Sequence, residues 1–357
     1  MTTNKVLVYF GKRGGGLQLL IDTIKDLQIQ NIEFSVLLSN EATEMVSQVL
    51  TYPVLTKSVF VPHSFKSILD LRNIFKTLKS LLVICKFGFV RRNSDFIQLM
   101  PSPIDQFLDF ALTFSRDNRN IRCIHDARPH PGEKWPTKRG ITKRIKSADL
   151  LVFFSTEVRN QVRTTKPSFV CSLPMTFVPS ESIDSELEDK VDILLKSGKP
   201  TLVLLGRIRE YKGFSFFLSL NQTVIERFNF LVAGEGKIGV PVPSNVHVIN
   251  RWLTDAEYLK IVEKFEVFIL PYSEASQSGL IPLLINLNKT IIVSDKAGLA
   301  EQIQGYKKSS QFSLQRPEEI NSVIMASIEL EASLERNSTE STTVTLKKLA
   351  NILEFSL

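Results

Sequence analysis

Short apolar runs of strand length alternate with helix-length segments along almost all of this 357-residue chain, and that alternation limits the possible folds more than any other feature. In the first half, Lys5–Phe10, Glu33–Leu38, Ser80–Cys85, Arg122–His125, Asp149–Phe154 and Ser168–Leu173 read as strands. Helices are expected between and beside them at Leu17–Gln28, Glu41–Leu50, Phe65–Lys79, Ile104–Phe114, Thr137–Ser147 and Glu157–Thr164. The second half repeats the pattern. Its strands are expected at Thr201–Leu205, Asn229–Ala233, Val246–Ile249, Val267–Leu270 and Thr290–Val293. Its helices are expected at Phe214–Glu226, Asp255–Lys264, Leu280–Asn286, Leu299–Gln304 and Pro317–Leu334. Two helices carry entry signals: Ser102-Pro103 with Asp105 as a capping box, and Thr254 with Glu257 as another. Strands regularly separated by helices pair in parallel, since the crossover returns the chain to the same sheet end.

The chain is too long for one ordinary core, so two α/β domains follow. The acidic, polar stretch 179–199 separates residues 1–178 from residues 200–340, and 341–357 reads as a terminal amphipathic helix, expected to pack back on the first domain. Charge divides unevenly. Residues 1–178 hold 25 Lys and Arg against 14 Asp and Glu, whereas residues 179–357 hold 19 against 23. A basic first half argues for an anionic partner such as a membrane surface or a lipid-linked phosphate; solvated helix faces are the plainer alternative. Nucleic acid is not expected, because neither a helix-turn-helix signal nor an aromatic stacking motif accompanies the charge. Cys85, Cys123 and Cys171 are scattered through apolar runs, matching neither a disulfide framework nor a zinc site. With no spanning segment and no apolar leader, a cytoplasmic protein is expected.

The strongest local signal is Gly206-Arg207-Ile-Arg-Glu-Tyr-Lys212-Gly213, between an apolar strand and a helix-length segment. In an open α/β sheet this puts Arg207 and Lys212 at the carboxyl edge of a strand, where ligands bind. Two cations there would stabilise the charge that grows on a leaving diphosphate. A basic surface loop is the other reading. Along the chain follow Leu231-Val-Ala-Gly-Glu-Gly236, then Pro271-Tyr-Ser-Glu-Ala-Ser-Gln-Ser-Gly279-Leu-Ile-Pro282, then Ile291-Ile-Val-Ser-Asp-Lys-Ala-Gly-Leu-Ala-Glu301.

This ordered set resembles the C-terminal half of glycosyltransferase family 4, retaining enzymes of the GT-B fold. The resemblance covers about 110 residues of the second half, Gly206 to Glu301 among them. It implies two Rossmann-like domains whose parallel sheets face across a cleft. It implies a UDP- or GDP-linked sugar donor, with the diphosphate held by Arg207, Lys212 and the Ser278-Gly279 backbone, and Gly206 lending close approach. The base would sit near Asn250–Leu253, with Trp252 as a stacking or a packing residue. The family's pair of glutamates falls here on Ser276 and Leu284, so Glu274 is the carboxylate left to serve near the sugar. That departure keeps a second reading open: a GT-B protein of impaired catalysis that binds sugar nucleotides or serves as a partner subunit.

The first half fits the family more loosely. Gly11-Lys-Arg-Gly14-Gly15-Gly16 follows the first strand, and its glycines would face the donor or form only a tight turn. It lacks the Gly-Lys-Ser/Thr ending of a P-loop and the spacing of a nicotinamide fingerprint. His125 ends a strand and would bind the transferred sugar or orient the acceptor, or simply satisfy Asp126; His130 lies between two prolines. No Asp-x-Asp pair occurs, and no metal or other cofactor is expected. Arg128–Lys146 holds seven cations against Glu133 alone, with Trp135 among them. Lys138, Arg139, Lys143 and Arg144 would then face a glycan or lipid-linked acceptor and rest on an anionic leaflet, giving a role in surface polysaccharide biosynthesis.

Overall fold

A computed structural model describes residues 4–12, 14–62, 70–113, 117–129, 136–173, 183–335 and 349. The chain divides into two compact units, Met1–Thr176 with Leu346–Leu357 and Phe177–Thr345. Each is an α/β unit built on one parallel sheet.

The first sheet has seven strands: β1 (Asn4–Tyr9), β2 (Phe34–Ser39), β3 (Leu55–Val59), β4 (Ser94–Gln98), β5 (Arg119–Ile124), β6 (Leu150–Phe153) and β7 (Ser168–Val170). Their order is β3-β2-β1-β4-β5-β6-β7. β1 lies between β2 and β4, with Val6 opposite Ser35 on one side and Phe96 on the other. Val6, Val8, Leu37 and Phe96 pack with Ile84, Phe87 and Leu108 from the covering helices.

Ser80–Cys85 corrects the sequence reading. It is not a strand but part of a 20-residue helix, Leu71–Val90. An unbroken apolar run has no period, so by itself it fits a buried strand as well as a helix. The place beside β1 goes to Ser94–Gln98, whose buried Asp95 hid it from a search for apolar runs. The edge strands β3 and Ser309–Phe312 escape the same search, being largely polar.

The second sheet has β8 (Thr201–Leu205), β9 (Asn229–Ala233), β10 (Val246–Ile249), β11 (Val267–Leu270), β12 (Thr290–Ser294) and β13 (Ser309–Phe312). They run in the order β10-β9-β8-β11-β12-β13. The helix expected over Phe214–Glu226 is replaced by two 3₁₀ turns, Glu210–Lys212 and Phe214–Ser219, and a short helix, Gln222–Arg227. Phe214, Phe216 and Phe217 are all buried, a spacing that one α-helical face does not provide. The capping box forms at Thr254. At Ser102 the hydroxyl accepts the Ile104 N–H at 3.4 Å, and the Asp105 carboxylate accepts from the Ser102 backbone as well as from Gln98 and Arg144. From the stretch read as a linker comes the helix Ser185–Lys196, which buries Leu187, Val191 and Leu194 and contacts the helix Asp255–Lys264. The terminal helix expected at 341–357 lies outside the described residues, apart from the buried Leu349.

In each sheet the strand order reverses beside the first strand of the unit. The switch lies between the paired strands β1 and β4 in one sheet and β8 and β11 in the other, from which the connections leave in opposite directions. Such a switch point opens a crevice at the carboxyl ends of the strands.

Candidate functional site

At the switch point of the second sheet, β8 delivers Gly206-Arg207 and β11 delivers Pro271-Tyr272. The two loops are in contact. The Ser273 N–H donates to the Tyr211 carbonyl at 2.8 Å. Gly213, at φ 76°, passes so close that a Cβ there would lie 1.7 Å from the Pro271 carbonyl oxygen. Only glycine meets both demands.

This contact builds a surrounding for Lys212 that neither motif shows by itself. The Lys212 ammonium lies 3.7 Å from the Tyr272 ring centroid and 5.5 Å from that of Tyr211. The two rings stand nearly perpendicular, at 82°. Burial lowers the Lys212 pKa to about 8; Tyr211 pulls it up and nearby Arg207 pushes it down. Burial likewise raises Tyr272 to about 12. Among the described residues no carboxylate pairs with Lys212 or with the exposed Arg207. A partly desolvated ammonium beside an exposed guanidinium, both without a counter-anion, is arranged to receive a multiply charged anion. Tyr211 and Tyr272 stand next to positions the sequence had marked, but their role is visible only once the loops meet.

The following turn is less open than expected. The Ser278 N–H already donates to Gln302 Oε1 at 2.6 Å, and Gln302 Nε2 returns a bond to the Ser278 carbonyl at 3.0 Å. Ser278 is buried, so of the Ser278-Gly279 pair Gly279 is the one whose amide this clamp leaves alone. Glu274 is exposed on the same loop. Leu284, the position at which the resemblance calls for an acid, is fully buried in the helix Leu280–Asn286 and packed as core. Trp252 is 45% exposed after β10, two strands from the switch point, so it is not a core residue. Its neighbour Asn250 accepts the Gly236 N–H at 3.0 Å, fixing the loop after β9.

In the first unit, Gly14 precedes and Gly15 opens the helix Gly15–Ile29 after β1. Gly15 faces open space, whereas a Cβ on Gly16 would come 2.6 Å from Met100, from the loop after β4. His125 follows β5. Its Nε2 is 2.8 Å from the Leu99 carbonyl and its ring packs on Phe154, centroids 4.6 Å apart. Burial lowers its pKa, outweighing the Leu99 carbonyl and Asp126, so the ring is neutral at pH 7. Asp126 is half-buried beside it.

Arg144 is the clear correction among the basic residues. It is not on the surface of the helix Lys138–Ser147. It turns inward, donating to Asp105 at 3.0 Å, to the Gln98 carbonyl at 2.8 Å and to the Cys123 carbonyl at 3.1 Å. Burial lowers its pKa to about 10. A guanidinium is kept inside when carbonyls and a carboxylate meet its planar fork. Lys138, Arg139 and Lys143 are exposed, whereas Ile141 of the same helix is buried. His130 and Trp135 lie outside the described residues. No group of three or more His, Cys, Asp or Glu among the described residues is placed to hold a metal ion. No described helix is long and apolar enough to cross a membrane.

The sequence matches no protein-family model and none of the curated proteins compared. Solved structures do match. A glycosyltransferase from Rickettsia africae ESF-5 superposes with a TM-score of 0.64 at 13% identity, over 92% of this chain and 89% of that one. Anabaena Alr3699/HepE, crystallised with UDP and glucose, gives 0.66 at 12% identity, over 99% and 95%. WaaG, a glycosyltransferase involved in lipopolysaccharide biosynthesis, gives 0.58 at 14% identity, over 94% and 93%. The chain has the fold of these GT-B glycosyltransferases, with two Rossmann-like parallel-sheet units.

Proposed function

We propose that this protein is a retaining glycosyltransferase that moves a sugar from a UDP- or GDP-linked donor to a glycan or lipid-linked acceptor. The observation that carries the reading is Lys212, held against Tyr272 and without a counter-anion among the described residues, beside exposed Arg207 at the switch point of the second sheet. That pair would bind the donor diphosphate and stabilise the charge released as the glycosidic bond breaks. With two fixed cations in this role, the reaction needs no metal. The diphosphate would take the acceptor proton on the same face, and the protein would supply position more than a strong base. Glu274 would meet the sugar, Gly279 a phosphate and Trp252 the base. Gly14, Gly15 and Gly16 would face the donor, and His125 and Asp126 would line the acceptor side.

Two neighbours support the finer parts. The UDP and glucose bound to HepE favour a UDP-linked donor, and WaaG's role in lipopolysaccharide biosynthesis favours surface polysaccharide assembly at the inner membrane face. The test is a donor panel read by mass detection of released UDP or GDP, repeated on Arg207→Ala and Lys212→Ala. Near-normal transfer by both variants would refute the diphosphate assignment.

A second reading is that the protein binds sugar nucleotides without turning them over. Leu284, buried where the family places a glutamate, favours it, since a leucine accepts no ribose hydrogen bond. Calorimetric titration with UDP- and GDP-sugars decides between the two: binding without product release supports this second reading.

A further inference from the structure

The helix Leu71–Val90 buries one side and leaves the opposite side apolar. Ser80, Ile84 and Phe87 face the sheet. The Ser80 hydroxyl accepts the Phe60 N–H at 3.0 Å and donates to the Phe60 carbonyl at 3.0 Å, which fixes the helix's rotation. Gly88 packs beside Ala111 of the helix Asp105–Thr113. Facing away are Phe75 at 78% exposure, Leu78 at 52%, Leu82 at 69% and Phe89 at 57%. At 3.6 residues per turn these four fall within about 60° of one another, centred opposite the buried side.

The charge around the stripe is of one sign. Residues 71–92 contain six Lys and Arg and no Asp or Glu. Lys79 and Lys86 are exposed along one flank of the stripe, and the Arg92 guanidinium sits 4.3 Å from the Phe89 ring centroid. An apolar ridge bordered by cations that pair with no carboxylate among the described residues matches an anionic bilayer surface, with aromatic and leucine side chains among the acyl chains and ammonium groups among the phosphates. A second protein is a poorer match. The stripe, about 21 Å long from Phe75 to Phe89 and about 10 Å wide, offers roughly 200 Å², well short of the ~800 Å² per partner of a stable interface.

We infer that the Leu71–Val90 helix is a peripheral membrane-docking face selective for anionic lipid. It gives the membrane contact of the proposed function a definite location, which the helix Lys138–Ser147 lacks because its Ile141 is buried. The docking does not depend on sugar transfer, so its test stands apart from the donor assay.

The experiment is co-sedimentation of the full chain with phosphatidylglycerol–phosphatidylcholine vesicles and with pure phosphatidylcholine vesicles. The expected result is binding to the anionic vesicles, weakened by added salt. Leu78→Ser/Leu82→Ser should lower that binding at least ~10-fold with an unchanged thermal midpoint, because both side chains are already in water. Lys79→Glu/Lys86→Glu should lower it by ~20-fold or more, at about fivefold for each lysine charge lost. The inference is overturned by absent or lipid-indifferent binding, or by binding that survives both variants. It is equally overturned if Arg139→Glu/Lys143→Glu abolishes binding while the leucine variant does not. A dimer seen in sedimentation velocity and dispersed by Leu82→Ser would assign the face to a second copy instead.

Discussion

The Lys212 ammonium sits over the Tyr272 ring, 3.7 Å from its centroid, although the two residues belong to loops after different strands of the second sheet. The ring face attracts the cation without neutralising it, so the charge stays available to a ligand. Replacing Lys212 by alanine removes a donor aimed at a developing anion and should lower kcat by about 10²–10³. Arg207→Ala should lower it comparably. Steady-state release of UDP or GDP checks both.

Lys212 also sets a pH dependence. Its folded-state pKa of about 8 lies below its ordinary value of 10.5. Only the ammonium binds a diphosphate well, so donor affinity should be level below pH 8 and fall towards tenfold per pH unit above it. Stability moves the other way. Between pH 8 and 10.5 the unfolded chain holds the proton that the folded one has lost, so this residue's contribution rises with pH. Titration calorimetry with UDP from pH 7 to 9.5 should show the loss, and Lys212→Met should abolish the slope. His125, kept neutral by burial, should add no step near pH 6.5.

Asp95 is wholly buried between Lys5 at 2.7 Å and Arg119 at 2.6 Å. Burial pushes its pKa up, but the Arg119 and Lys5 contacts more than reverse this and hold it below the usual value of 3.8. Its stabilisation is therefore present above pH 3.8 and is lost as pH falls through the folded value. Asp95→Ala leaves Lys5 buried and unpaired, and should cost about 3–5 kcal/mol in urea unfolding.

Arg144 should behave as a structural residue. Arg144→Ala leaves Asp105 buried without its cation and should cost about 3–5 kcal/mol. Arg139→Ala and Lys143→Ala, on the exposed side of the same helix, should stay within about 0.5 kcal/mol of the parent. Equal stability of all three variants in thermal unfolding would contradict this placement.

How far the sequence reached depended on how local each signal was. The strands from Thr201 to Val293 were legible because each is a short apolar run bounded by turn or helix residues, and the glycine-flanked Arg207 and Lys212 fall after the first of them. Ser80–Cys85 was not legible. Its five-residue apolar core at Leu81–Cys85 looks buried on every side, yet Leu82 is 69% exposed. Ser94–Gln98 failed in the opposite way, because Asp95 is polar in sequence and apolar surroundings become tolerable only beside Lys5 and Arg119.

Periodicity and turn chemistry, both properties of neighbours along the chain, by themselves determined two parallel α/β units and a basic loop at a strand's carboxyl edge. The tertiary structure alone decided which charges are spent inside and which remain for a ligand. Burying a guanidinium or an ammonium depends on partners remote in sequence: Asp105 for Arg144, 39 residues away, and Tyr272 for Lys212. The cost of desolvating a charge is met or left unmet by that encounter, and no local pattern encodes it.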